Sequence, residues 1–146
     1  TLLVVGKGDQ TTARDLAGPA LDWIVFTGFV DDITLKKCYA LCDVYVCPSR
    51  LEGFGLTLVE AMRCGKPIIA SNAGAIREVL GSYDSGILID PDNSIQLSKN
   101  LLRFIQSRNE YNQQGKGIVK EYLDWKKCAE QTASLYYLIS SSHEFA

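Results

Sequence analysis

Several things are scarce in this sequence, and each scarcity excludes a class of function. It has one histidine, His143, in a tail without a packing signal, and that histidine is not expected to be functional. Its five cysteines, Cys38, Cys42, Cys47, Cys64 and Cys128, are odd in number and include no CxxC pair. That spacing fits neither a zinc site nor a dense disulfide framework and predicts buried free thiols in a reducing cytosol. Charge of one sign is not in surplus: fifteen Lys and Arg face seventeen Asp and Glu, for a net charge of -2. Such a balance gives no general attraction to nucleic acid or anionic lipid. Long hydrophobic runs are missing too, since Leu2–Val5 and Ile87–Ile89 fall far short of the roughly 20 residues that span a bilayer. No basic segment or small-residue cleavage site opens the chain as given, so no secretory signal is expected.

What is present is the composition of a folded domain. Of 146 residues, 47% are hydrophobic and 22% charged, enough to bury one core. Short runs rich in Val and Ile, bounded by Gly, Pro or Asp, predict buried parallel strands at Leu2–Val5, Trp23–Thr27, Val44–Cys47, Ile68–Ser71 and Ile87–Ile89. Between them, Ile33–Leu41 sets Leu35, Cys38, Tyr39 and Leu41 along one face, and Leu56–Cys64 does so with Leu58, Val59 and Met62. Ala75–Leu80 offers a turn or two more. After the turn Asp90-Pro91-Asp92-Asn93 the pattern becomes helical alone, with helices predicted at Ser94–Ser107, Arg108–Tyr122 and Trp125–Ser140 and a frayed tail over Ser141–Ala146. Trp125, Tyr136 and Tyr137 are expected to pack the last helix on the sheet. The fold class is therefore α/β and Rossmann-like: a mainly parallel sheet with helices on both faces, ending in consecutive helices. Residues 1–140 form one domain.

Open parallel sheets bind ligands at the carboxyl ends of their strands. Here those ends are Gly6–Gln10, Gly28–Asp31, Pro48–Gly55 and Asn72–Gly74. The richest is Pro48-Ser49-Arg50-Leu51-Glu52-Gly53-Phe54-Gly55, which leads from a strand into a helix. Gly53 and Gly55 permit positive φ and close approach to main-chain N–H groups. The first amides of the following helix, at its positive dipole end, suit a phosphate oxygen, with the Thr57 hydroxyl as a further donor. Glu52 before the helix and Glu60 one turn inside it are carboxylates suited to vicinal hydroxyls. A phosphate between two hydroxyl-binding carboxylates describes a nucleotide sugar. Two other readings stay open: a solvated Glu60 with Glu52 as a favourable charge at a helix N-terminus, or the acid and base of a glycosidase.

Pro48-Ser49, Glu52-Gly53-Phe54-Gly55 and Glu60-Ala61-Met62 resemble the signature of glycosyltransferase family 4, retaining enzymes of the two-domain GT-B fold. Val4-Val5-Gly6-Lys7-Gly8, Phe26-Thr27-Gly28-Phe29-Val30, Cys64-Gly65-Lys66-Pro67, Gly74-Ala75-Ile76-Arg77-Glu78 and Gly86-Ile87-Leu88-Ile89-Asp90-Pro91 match in order and spacing, so the resemblance covers about Leu2 to Tyr137. It implies a donor-binding domain for a nucleoside-diphosphate sugar. Carried across by position, Glu52 would hold hydroxyls of the transferred sugar and is the catalytic candidate. The main chain of Phe54, Gly55, Leu56 and Thr57 would hold the phosphates, Glu60 the ribose, and Phe29 and Val30 the base. Gly74, ahead of Arg77 and Glu78, would add amides toward the sugar or diphosphate, or merely cap a short helix. Lys7, in the Gly6-Lys7-Gly8 loop, is read as a solvated loop lysine, the other reading being that it points toward the ligand edge. The family needs no obligatory metal, so no cofactor and no metal site are expected.

The sequence departs from the family in beginning after the strand-loop-helix unit whose Arg and Lys neutralise the diphosphate, and in lacking the acceptor-binding domain upstream. On this reading the chain is the donor half of an enzyme that transfers a hexose to a sugar, glycan or lipid-linked acceptor, and is inactive alone. It would be cytoplasmic, peripheral to a membrane only through the missing half. A non-catalytic nucleotide-sugar module working with a partner chain is the alternative. A flavodoxin-like signalling domain would need an acidic cluster at the strand ends that this sequence does not supply.

Overall fold

The computed structural model describes residues 1–81, 83, 86–107 and 125–142, excluding the side chains of 141 and 142. Two compact units make up the chain, Thr1–Cys42 and Asp43–Ala146.

In the first unit, β1 (Leu2–Val5) is followed by α1 (Thr11–Ala17), a 3-10 turn over Gly18–Trp23, β2 (Ile24–Gly28) and α2 (Asp32–Leu41). The two strands pair in parallel, Leu2 opposite Ile24 through Val4 opposite Phe26, with a shift that sets Val5 opposite Gly28. Helix α1 has no apolar stripe to announce it. Local polar contacts hold it instead: Asp9 Oδ1 accepts from the Thr11 N–H at 2.8 Å, and the Arg14 guanidinium lies 4.7 Å from the Phe26 ring centroid. Helix α2 starts one residue before its apolar face because the Asp31 carboxylate accepts from the Thr34 N–H at 2.7 Å as an N-cap. That bond holds the Asp31 carboxyl below its ordinary pKa. On the expected face Tyr39 is buried and Leu35 and Cys38 half-buried, whereas Leu41 is exposed.

The second unit runs β3 (Tyr45–Cys47), α3 (Leu56–Arg63), β4 (Ile68–Ser71), α4 (Ile76–Leu80), β5 (Gly86–Ile89), α5 (Ser94–Gln106) and α6 (Trp125–Ser142). The strand order is β3-β4-β5, parallel throughout, so β4 is hydrogen-bonded on both sides. The core lies here. Ile68, Ile69, Ala70 and Ser71 are each at most 1% exposed, and Leu58, Ala61, Met62, Ile76, Val79, Leu80, Ile89 and Phe104 are buried with them. Each large aliphatic among these contributes about 1.5–3 kcal/mol of transfer free energy. Helix α3 stops at a glycine turn: Gly65 has φ +65°, its N–H donates to Met62 O at 2.9 Å, and the Lys66 N–H donates to Ala61 O at 3.1 Å. Asn93 caps α5 through the Gln96 N–H at 2.9 Å.

All five strands and every strand pairing agree with the α/β, parallel reading, and no strand follows α5 among the described residues. Rather than one continuous ladder, the strands form a two-stranded and a three-stranded sheet. Three expectations need correction. Every described side chain of Trp125–Ser140 is exposed, with Trp125 at 82%, so Trp125, Tyr136 and Tyr137 do not pack on the sheet. Of the free cysteines only Cys47 is buried; Cys38 and Cys42 are half-buried and Cys64 and Cys128 exposed. Helix α6 continues through Ser142, into the stretch expected to fray. The helix expected at Arg108–Tyr122 and the tail from His143 onward lie outside the described residues.

Candidate functional site

At the carboxyl end of β3, alternation along the strand puts Tyr45 and Cys47 on one face, and the next step of the same register leads to Ser49. The Ser49 hydroxyl donates to Glu52 Oε1 at 2.9 Å and lies 3.5 Å from Cys47 Sγ. Tyr45 is half-buried, and that burial raises its phenol to about 12, a shift that Thr57 in the first turn of α3 opposes and the nearby Cys47 and Glu52 reinforce.

Between Glu52 and α3, Gly55 takes the left-handed conformation, φ +83° and ψ +52°, and caps the helix with no side-chain hydrogen bond. Its carbonyl accepts from the Leu58 and Val59 N–H groups. The N–H groups of Leu56 and Thr57 have no hydrogen-bond partner among the described residues, and both residues are exposed. These are the two open donors at the positive end of the helix. A side chain at Gly55 would carry a Cβ to 2.8 Å from Leu58 Cδ1 on top of the strained φ, so only glycine suits the turn.

Two other loops hold the Glu52 loop in place. The Ala75 N–H donates to Glu52 O at 3.2 Å, and Gly74, at φ +53°, sits so close that an added Cβ would collide with the same oxygen. One amide of this corner is therefore engaged with Glu52. Helix α4 after it is five residues long with no side-chain cap, and Arg77 and Glu78 are exposed on it. From the other side, Arg50 Nε donates to Asp92 Oδ1 at 2.8 Å in the loop after β5. Both groups are well exposed, so this pair is worth little by itself. Glu60 is exposed on α3, one turn beyond Leu56.

Phe29 and Val30 follow β2 in the first unit, where the Gly6 N–H donates to Gly28 O at 2.9 Å. There Lys7 is not simply solvated: its Nζ stands 5.1 Å from the Phe29 ring centroid. Of the sequence-derived residues, then, Glu52, Gly55, Leu56, Thr57 and Gly74 come together at one corner of the β3-β4-β5 sheet. Phe54 belongs to the same loop and is exposed. Tyr45, Ser49 and Ala75 were not singled out from the sequence. The alternation Tyr45-x-Cys47-x-Ser49 is the signal that leads to the first two; the role of Ala75 depends on a contact across more than twenty residues. Among the described residues no group of three or more His, Cys, Asp or Glu is arranged to hold a metal ion, and no helix is long and apolar enough to cross a membrane.

The family model described as glycosyl transferases group 1 matches residues 1–121. A phosphatidyl-myo-inositol mannosyltransferase of Mycobacterium leprae is 35% identical over 145 residues, which are 97% of this chain and 38% of that protein. The O-antigen chain mannosyltransferase B of Escherichia coli is 36% identical over 120 residues, 80% of this chain and 31% of its own length. Among solved structures, the sucrose-phosphate synthase of Thermosynechococcus elongatus superposes with a TM-score of 0.80 at 28% identity, covering 97% of this chain and 39% of the other. Anabaena HepE in complex with UDP-glucose gives a TM-score of 0.76 at 28% identity, over 94% of this chain and 40% of HepE. These solved neighbours are GT-B glycosyltransferases. The chain spans less than half the length of each of these four proteins.

Proposed function

The chain belongs to the group 1 glycosyl transferases, and on that premise we propose that it binds a nucleoside-diphosphate hexose and supplies the donor side of a sugar transfer. The observation that carries this reading is the pair of open amides, Leu56 and Thr57, at a glycine-capped helix end that directly follows the held Glu52 carboxylate. The amides and the helix dipole would take diphosphate oxygens as negative charge develops on the leaving group, a task that needs neither a cationic side chain nor a metal. Glu52 would accept from hydroxyls of the hexose, and Glu60 from those of the ribose. A glycosidase reading leaves those amides without a purpose.

Retention of anomeric configuration rests on the resemblance of the Glu52-to-Glu60 motif to family 4. UDP-glucose is bound by the Anabaena neighbour and mannose is transferred by the named relatives, so UDP-glucose and GDP-mannose are the first donors to try. The acceptor, and with it turnover, would depend on parts of the whole protein outside these residues, since the relatives are between two and three times as long.

Calorimetric titration of the full-length protein tests the division of labour. Glu60→Ala is expected to weaken both the free nucleoside diphosphate and the intact donor. Glu52→Ala is expected to weaken the donor by roughly tenfold, the effect of one lost charge-assisted hydrogen bond, and to leave the diphosphate unchanged. Equal losses for both ligands in both variants would refute it.

A further inference from the structure

The Glu52 loop is held at three places, and they differ in kind. Ala75 N–H on Glu52 O fixes the main chain, and the absence of space at Gly74 keeps that approach close. Arg50 on Asp92 ties the loop to the one after β5. Only the third contact touches the carboxylate itself: Ser49 Oγ on Glu52 Oε1 at 2.9 Å. Resting on the reading of Glu52 as a sugar-hydroxyl acceptor, we propose that Ser49 is a positioning residue that presets the Glu52 side chain for the hexose.

The direction of the hydrogen bonds follows from chemistry. An ionised carboxylate only accepts, so the Ser49 proton goes to Oε1, and the serine oxygen is left to accept from the Cys47 S–H at 3.5 Å. The chain of donors therefore runs from Cys47 to Ser49 to Glu52, along the face of β3 that begins at Tyr45. It ends on one carboxylate oxygen. Oε2 has no hydrogen bond among the described residues and is available to a ligand hydroxyl. Both Ser49 and Glu52 are half-buried, which makes the bond stronger than a fully wetted one and keeps Glu52 within reach of a ligand.

The benefit of such an arrangement is entropic. A glutamate has several rotamers to lose when it grips a ligand, and a side chain already fixed in the free protein does not lose them at binding. Removing the fixing hydroxyl is expected to weaken the intact donor by roughly three- to tenfold, the cost of immobilising one such side chain. It should not touch the diphosphate, which Glu52 does not hold in this reading.

The test is a double-mutant cycle in the full-length protein, titrated with UDP-glucose and GDP-mannose and with UDP and GDP, and with thermal melting to verify folding of each variant. Ser49→Ala is expected to weaken the bound donor three- to tenfold, to leave its diphosphate unchanged, and to have no further effect once Glu52→Ala is present. A loss of equal size in the Glu52→Ala background, or equal loss of donor and diphosphate, overturns the positioning role by showing that Ser49 acts independently of Glu52. No loss of donor affinity in Ser49→Ala, while Glu52→Ala does weaken it, overturns the role of Ser49 alone. Unchanged donor affinity in Glu52→Ala overturns the sugar role of Glu52 and the inference built on it.

Discussion

Strands β1 and β4 are both short and open on two large aliphatic residues, Leu-Leu-Val-Val against Ile-Ile-Ala-Ser, and their surroundings are opposite. In β4 every residue is at most 1% exposed; in β1 Leu2 is 52% and Val4 37% exposed. The difference comes from neighbours. β4 has strands bonded on both sides and shares its unit with the buried faces of α3 and α4, whereas β1 has a single partner, β2, in a unit whose one buried side chain is Tyr39. A run of apolar residues therefore says that a strand is made to be covered. Topology decides whether anything covers it.

That contrast has measurable consequences. Ile69→Ala in β4 is expected to cost about 2–5 kcal/mol, as truncation of a fully buried aliphatic does, while Leu3→Ala in β1 should cost about 1 kcal/mol or less. Urea unfolding of the two variants checks this, and similar losses at both positions would break the comparison. Next in size is Gly74→Ala. The added methyl meets Glu52 O, a main-chain atom that moves only with its loop, on a backbone at φ +53° that disfavours any side chain. A loss of about 1–3 kcal/mol is expected, accompanied by weaker donor binding because the Glu52 loop is displaced. A variant as stable as the parent with unaltered donor affinity would show that the two loops are not interlocked. The smallest effect reverses sign. Ser71 ends β4 with its hydroxyl buried and without a hydrogen-bond partner among the described residues. Ser71→Ala removes that unmet need and should leave stability unchanged or raise it by up to about 1 kcal/mol. A clear loss in the same denaturation measurement would mean that the hydroxyl is satisfied.

The five strands were legible to within about a residue because buried parallel strands state themselves as short Val- and Ile-rich runs. Helix α1 was not legible: Thr11–Ala17 holds together through Asp9 and Arg14, and no periodic apolar face marks it. At the terminal helix the failure ran the other way. Trp125, Tyr136 and Tyr137 look like packing residues by type, and type does not reveal whether a surface stands opposite. The site divides in the same manner. Glu52, Gly55 and the open amides could be read from the chain, since a glycine turn into a helix has one local geometry. Ser49 was visible only as part of a motif, and the lock between Gly74 and Glu52 requires two loops that the sequence separates and the sheet brings side by side.

The central claim is that the N-terminus of α3 receives the diphosphate. Titrating the 15N-labelled full-length protein with UDP and GDP, and following the backbone amides, tests it most directly. The account predicts that the Leu56 and Thr57 amide signals move most at saturation, with Leu58 and Val59, already bonded to Gly55 O, moving less. Saturable binding that leaves Leu56 and Thr57 in place while other amides shift would contradict it.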